Sequence, residues 1–238
     1  MIILSLAATN SDLSSQPSQG TADLSSPSLQ VHATLPQIDF PGTPLVSTLA
    51  RGQTVAASKG LTAAKGIDKT VIDEPIPGTS AASISALYQK RACAADAIVV
   101  GQTSAWQHHL SASGTAIYAD YDFAVEILLK NYPAAPLQSS HHIVITRPSG
   151  TLALGSAPFN LVTFKHEGFP HLEAGQTYLL LLKKVKSGAY QALDAFSTFI
   201  AKDNTWIIAR KSFSTLVLPL LSRGTLESSL QQWASCGH

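Results

Sequence analysis

Four side chains of one parity, Tyr118, Asp120, Asp122 and Glu126, carry the oxygens from which a ligand site could be built. They lie in TAIYADYDFAVEILLK, Thr115 to Lys130. Residues i and i+2 on one strand face sit about 7 Å apart, so one strand cannot chelate a cation at about 2.3–2.6 Å. A second strand would have to bring further oxygens. The same separation suits the carboxylate pair of an inverting glycosidase, but nothing else in the chain supports that use. The plainer expectation is a solvated polar face. As a ligand surface, this set is the best candidate the chain offers.

Histidines supply the other candidates. His108-His109 and His141-His142 are adjacent pairs, and neighbouring residues on a strand point to opposite faces. One imidazole from each pair could share a face with a carboxylate such as Asp120 and bind a transition metal. Solvated strand ends are again the plainer reading. HEGFPH, His166 to His171, has the look of a zinc motif but the wrong spacing: the ligands of a zinc helix stand at i and i+4. Here they stand at i and i+5, with Gly168 and Pro170 between them. No metal or cofactor is expected.

For acyl transfer the chain lacks a G-x-S-x-G elbow, and Gly78 to Ala82 (GTSAA) comes closest. It also lacks a Walker loop, a G-x-G-x-x-G run and a C-x-x-C pair. The residues carry no enzyme signature. Cys93 and Cys236 are the whole thiol inventory. In a reducing compartment they would be two unrelated thiols, and in an exported protein one disulfide; the expectation is the bridge, because the pair brackets the region that reads as folded.

The elements that must position these groups are mostly strands. In Thr115 to Lys130, Ile117, Ala119, Tyr121, Phe123, Val125, Ile127 and Leu129 alternate with the polar set, which is the pattern of a half-buried antiparallel strand. At about 3.3 Å per residue such a run spans roughly 50 Å, so it must coil or bend around a core, as strands of small barrels do. DAIVVGQTSAW reads as a preceding strand with a possible bulge at Gly101, and HHIVITRP as a following one. TYLLLLKK, Thr177 to Lys184, is apolar without alternation and fits a strand covered on both faces. Ser187-Gly188 and Lys202 to Asn204 mark turns. SAASISALYQKRACAA predicts a short helix, and Leu226, Leu230 and Trp233 a docking helix at the other end. The order is helix, a meander of about seven strands, helix.

Residues 1–79 read differently. Prolines and the low-complexity run SDLSSQPSQGTADLSSPSLQ leave too little apolar surface to offset ordering entropy, so this arm is expected to be mostly flexible. Its start, MIILSLAATN, reads equally well as the tail of a signal peptide or as an ordinary apolar beginning. Charged residues are only 13% of the chain and the net charge is +1, which gives no reason to expect nucleic acid as a partner. No apolar run approaches the roughly 20 residues of a membrane helix.

The succession Cys93, ADAIVVG, a long strand ending VEILLK, then ITRPSGTL and LEAGQTYLLLLKK resembles uncharacterised bacterial exported proteins. More remotely it resembles the netrin-like module of tissue inhibitors of metalloproteinases. The likeness runs from about Cys93 to Leu193 and rests on texture and spacing. It implies an OB-type five-stranded barrel with helices packed on it. It does not carry the inhibitory activity, which in that family uses an N-terminal cysteine with a free amine; Cys93 has 92 residues before it. That family's several disulfides are also missing. The expected architecture is therefore mainly β, an OB-like antiparallel barrel over residues 80–238 with short flanking helices, and a β-sandwich as the alternative. The expected role is an exported, non-catalytic binding module for an unknown protein or small molecule. A hydrolase or metal-dependent protein using His and Asp on the barrel face is the competing reading.

Overall fold

A computed structural model describes residues 81–110, 117–134, 136–153, 161–164, 169–185, 188–194, 196–209 and 222–236. The low-complexity arm, its signal-like start and His166 to Gly168 lie outside the described residues, as does Ser187. Strand β1 (Ala97–Leu110) pairs antiparallel with β2 (Ile117–Lys130) along its length. Strand β3 (His142–Arg147) continues the sheet beyond β2. Strand β6 (Thr177–Lys184) pairs with the free edge of β1, and β7 (Tyr190–Ala192) bridges β6 and β3. The circuit β1-β2-β3-β7-β6-β1 is a closed five-stranded barrel.

Within that circuit β3 and β7 run parallel and every other pair is antiparallel. This is the Greek-key closure of an OB-type barrel. The expected meander is corrected at this point, because a simple up-and-down chain would make every pair antiparallel. Strands β8 (Thr198–Lys202) and β9 (Thr205–Ile208) extend the sheet from β6, and β4 (Gly150–Ala153) with β5 (Leu161–Phe164) forms a separate hairpin. Asp203, with φ 52°, turns β8 into β9, and Gly188, with φ 88°, closes the β6–β7 turn by donating to the Val185 carbonyl.

Strand β6 explains the two-layer core. Tyr178, Leu180 and Leu182 point into the barrel beside Tyr121, Phe123 and Ile145. Leu179 and Leu181 point outward with Ile98 and Val100 of β1. Helices α1 (Ala81–Ala94) and α2 (Arg223–Ala234) cover this outer layer with Ile84, Tyr88, Leu226 and Leu230. A strand apolar on both faces is what such a sandwiching demands. The end of α1 is held by lysines from the barrel: Lys130 Nζ donates to the Ala92 and Cys93 carbonyls at 2.8 and 2.9 Å, and Lys183 Nζ to Ala94 at 3.3 Å. Cations are favoured there by the unsatisfied carbonyls. Arg91, on the same turn, pairs instead with Asp194 and stands 5.2 Å from the Phe196 ring centre.

The long alternation in β2 holds only to Val125. Ile117 is buried, and Ala119, Tyr121, Phe123 and Val125 line the barrel, but Ile127 is 44% exposed and Leu129 packs in the helix-covered layer. Pairing with β1 jumps from Gly101↔Val125 to Val100↔Ile127, and from Val99↔Leu128 to Ile98↔Lys130. Glu126 and Leu129 are thus extra residues on β2, and each bulge reverses the inward parity. Leu128, on the opposite parity, reaches the interior cluster instead. These bulges are the physical reason the seven-residue face is corrected at Ile127 and Leu129.

Gly101 sits where the strands come closest. A Cβ there would overlap the carbonyl oxygen of Ala124 and press on the Phe123 ring. Gly101→Ala is therefore expected to destabilise by about 3 kcal/mol, the upper end of overpacking costs, in urea unfolding; an unchanged midpoint would contradict this packing. Cys93 and Cys236 are bridged across 143 residues, with Cα atoms 5.7 Å apart, and join α1 to the end of α2. Opening so long a loop is expected to cost about 4–5 kcal/mol by chain-entropy arithmetic, measured as the difference between oxidised and reduced protein in urea.

Candidate functional site

The even-numbered residues of β2 before the bulge at Glu126 face outward, as their parity requires, yet Tyr118, Asp120 and Asp122 are buried. The expectation of a solvated face is corrected for these three; Glu126, at the bulge, is exposed. Their burial follows from β2 lying between β1 and β3, which bring partners to each carboxylate. Asp120 stands across from Gln107 and Thr146. Its Oδ1 accepts from the Thr146 hydroxyl at 2.7 Å, and its Oδ2 lies 3.0 Å from His109 Nε2. The His109 ring also lies 5.9 Å from that of Tyr118.

Asp122 has a similar partner set one step along. Pairing jumps from Thr103↔Phe123 to Ala105↔Asp122, which makes Ser104 an extra residue on β1. The bulge aims its hydroxyl at Asp122 Oδ2, 2.8 Å away. His142 Nδ1 approaches the same oxygen at 2.8 Å from the start of β3. The carboxylate is nearly enclosed, the His142 side chain is 50% exposed and Ser104 is exposed. Two buried carboxylates, each bonded by a hydroxyl and each within 3.0 Å of an imidazole nitrogen, thus stand side by side on one strand.

The adjacent histidines divide as strand geometry dictates. His109 and His142 share the outer face with the two aspartates, whereas His108 points toward Gly150 and accepts from the Thr151 amide at 3.3 Å. His141 is exposed, and its Nδ1 accepts from the Gln138 amide at 3.2 Å. The two imidazoles do not converge on one carboxylate. Among the described residues no three His, Cys, Asp or Glu side chains gather as ligands for a metal.

Chemically, Asp122 fixes His142. A carboxylate accepting the Nδ1 proton leaves Nε2 as the acceptor. Ser104 bonds to the carboxylate rather than to the imidazole, so nucleophile and base lack the hydrogen bond of a Ser-His-Asp triad. The alternation of polar residues on β2 pointed to the carboxylates. Ser104 and Thr146 were not legible, since they join the site only through a bulge and a cross-strand register.

A second polar cluster occupies the end of the barrel where β3 runs out toward β4. Arg147, on the inward parity of β3, is fully buried; it donates to the Pro170 carbonyl and the Thr198 hydroxyl and stands 5.8 Å from the Phe169 ring centre. Burial lowers its pKa to about 10, still above neutrality. Tyr121 and His171 meet here at 2.8 Å. His171, the tail of HEGFPH, is thus engaged by a phenol.

No family model, curated protein or solved structure matches the chain. The barrel's topology carries the fold alone.

The paired carboxylates make a contrast testable by substitution. Asp120→Ala strands the Thr146 hydroxyl without its acceptor and is expected to cost about 1–3 kcal/mol, whereas Glu126→Ala is expected to stay within about 0.5 kcal/mol. Urea unfolding of both variants checks this, and equal effects would mean that Asp120 is as solvated as Glu126.

Proposed function

We propose that this chain is an exported, non-catalytic binding module that takes its ligand on the outer face of β1 to β3. Contact falls to Ser104, His142 and Glu126 at the surface, with Asp122 between them and Asp120 and Tyr118 buried behind as support. The observation that carries this reading is the Asp122 carboxylate held by Ser104 and His142 at 2.8 Å each. A surface imidazole and hydroxyl locked by a buried acid lose little freedom when a ligand arrives, which favours binding. OB-type barrels also commonly offer this face to ligands.

Export is supported by the Cys93–Cys236 bridge, because disulfides persist in oxidising compartments. The likeness to bacterial exported proteins and to netrin-like modules points the same way. Among the described residues no helix is long and apolar enough to cross a membrane. A net charge of +1 favours a protein or small-molecule ligand over nucleic acid.

A hydrolase is the second reading, favoured by the 2.8 Å contact of His142 with Asp122. That dyad could take a proton from water through Nε2. Amide spectra of the isotope-labelled protein, recorded against a library of neutral, cationic and anionic fragments, separate the two. Shifts gathered at Ser104, Asp122, His142 and Glu126 without turnover are expected. Shifts confined to β8 and β9 would overturn the proposed face. Hydrolysis of a nitrophenyl ester or phosphate that disappears in His142→Gln would establish the second reading instead.

A further inference from the structure

The cluster at the barrel end takes no part in the proposed face, and it holds a cation without a counter-charge. Arg147 is 0% exposed on the inward parity of β3. One terminal nitrogen donates to the Pro170 carbonyl and the other to the Thr198 hydroxyl of β8, which is itself fully buried. The Nε–H of the same guanidinium is buried and has no acceptor. Among the described residues no carboxylate reaches it. Asp96, Asp120, Asp122, Asp194 and Glu227 are engaged by Lys183, Thr146, His142, Arg91 and Trp206, and Glu126, Glu173 and Asp203 are exposed. A buried charge is costly unless it is paired and fully hydrogen-bonded, so this donor is built for a partner.

The surroundings select that partner. Nearby hydroxyls are already in use: Tyr178 accepts from the Glu173 amide at 2.7 Å, and the Tyr121 oxygen lies 2.8 Å from His171 Nδ1. The open donor is therefore Nε–H alone. One positive charge balances one negative charge, whereas a phosphate would bring nearly two. A planar carboxylate is the monoanion that matches a guanidinium. The walls are mostly rings. Phe169 stands 5.8 Å from the guanidinium carbon, and His171 meets Trp106 edge-on with centroids 4.9 Å apart. Trp106, Phe169, Pro170 and His171 are half-buried, so the residues that touch Arg147 on this side touch solvent as well. Ring walls around a single deep polar anchor suit an acid carried on a small apolar body.

We propose that Arg147 anchors a carboxylate-binding site at this end of the barrel, where the ligand accepts from Nε–H and lays its apolar part against Phe169 and Trp106. The site is distinct from the outer face of β1 to β3, and the two can be tested apart.

The test uses the full oxidised, isotope-labelled chain at constant ionic strength held with chloride. The Nε–H resonance of Arg147 is identified by its loss in Arg147→Lys or, should that variant not fold, by its proximity to the Phe169 ring protons. It is followed as acetate or benzoate replaces chloride. The resonance is expected to move saturably, and its exchange with water to slow at least about tenfold, as a charge-assisted hydrogen bond requires. Benzoate is expected to saturate at lower concentration than acetate, and phosphate to leave the resonance in place. Glu167, two residues before Phe169, lies outside the described residues and is the control for an internal acid. No saturable movement with either carboxylate, an equal response to phosphate, or a resonance displaced in Glu167→Gln with no acid added would each overturn the site.

Discussion

Strand β1 is hydrogen-bonded along both edges of its first half, to β2 on one side and β6 on the other. An open sheet of this length would leave two rows of unpaired amides and carbonyls; here β1 joins the ends and the barrel has no edge in that region. The rest of the arrangement follows from that closure. Residues of β1 and β6 must alternate between the interior and the helix-covered layer, so both strands are apolar on both faces. Where the double pairing of β1 stops, near Gln102, the strand is free to bulge at Ser104 and deliver a hydroxyl to Asp122.

Those bulges decide where polar groups end up. Without the extra residue at Ser104, the outer parity of β1 would not carry Gln107 and His109 onto the same face as Asp120. Without the extra residues at Glu126 and Leu129, β2 would hold one strict alternation to its end, burying Ile127 and leaving Leu128 outside. The same irregularities that shape a small barrel thus assemble its two acid–imidazole pairs. Burying carboxylates is costly unless each is hydrogen-bonded, and both aspartates have two partners.

What the residues disclosed, and what they withheld, divides along physical lines. Local periodicity was enough to show an amphipathic β2 from Ile117 to Val125, a doubly covered β6 and a docking stripe at Leu226, Leu230 and Trp233. Spacing relative to the folded region was enough to suggest the bridge between Cys93 and Cys236. Register was not legible, because a single inserted residue reverses parity and leaves no compositional mark at Ser104 or Glu126. Nor was the burial of Asp120 and Asp122, since an alternating polar residue looks the same whether it meets water or a cross-strand threonine. Arg147 gave a further warning of this kind: a charged residue on an inward parity can sit in a barrel core when a carbonyl and a hydroxyl receive it.

The covalent bond between α1 and the end of α2 has a topological result. Residues 93 to 236 form a closed ring in which the whole barrel circuit is contained, with the residues before Cys93 and after Cys236 attached as tails. Cutting any one peptide bond inside that ring opens it without dividing the molecule, and two cuts are needed to release a piece. After one such cut the fragments stay tethered within one molecule, and the severed strands can find one another again.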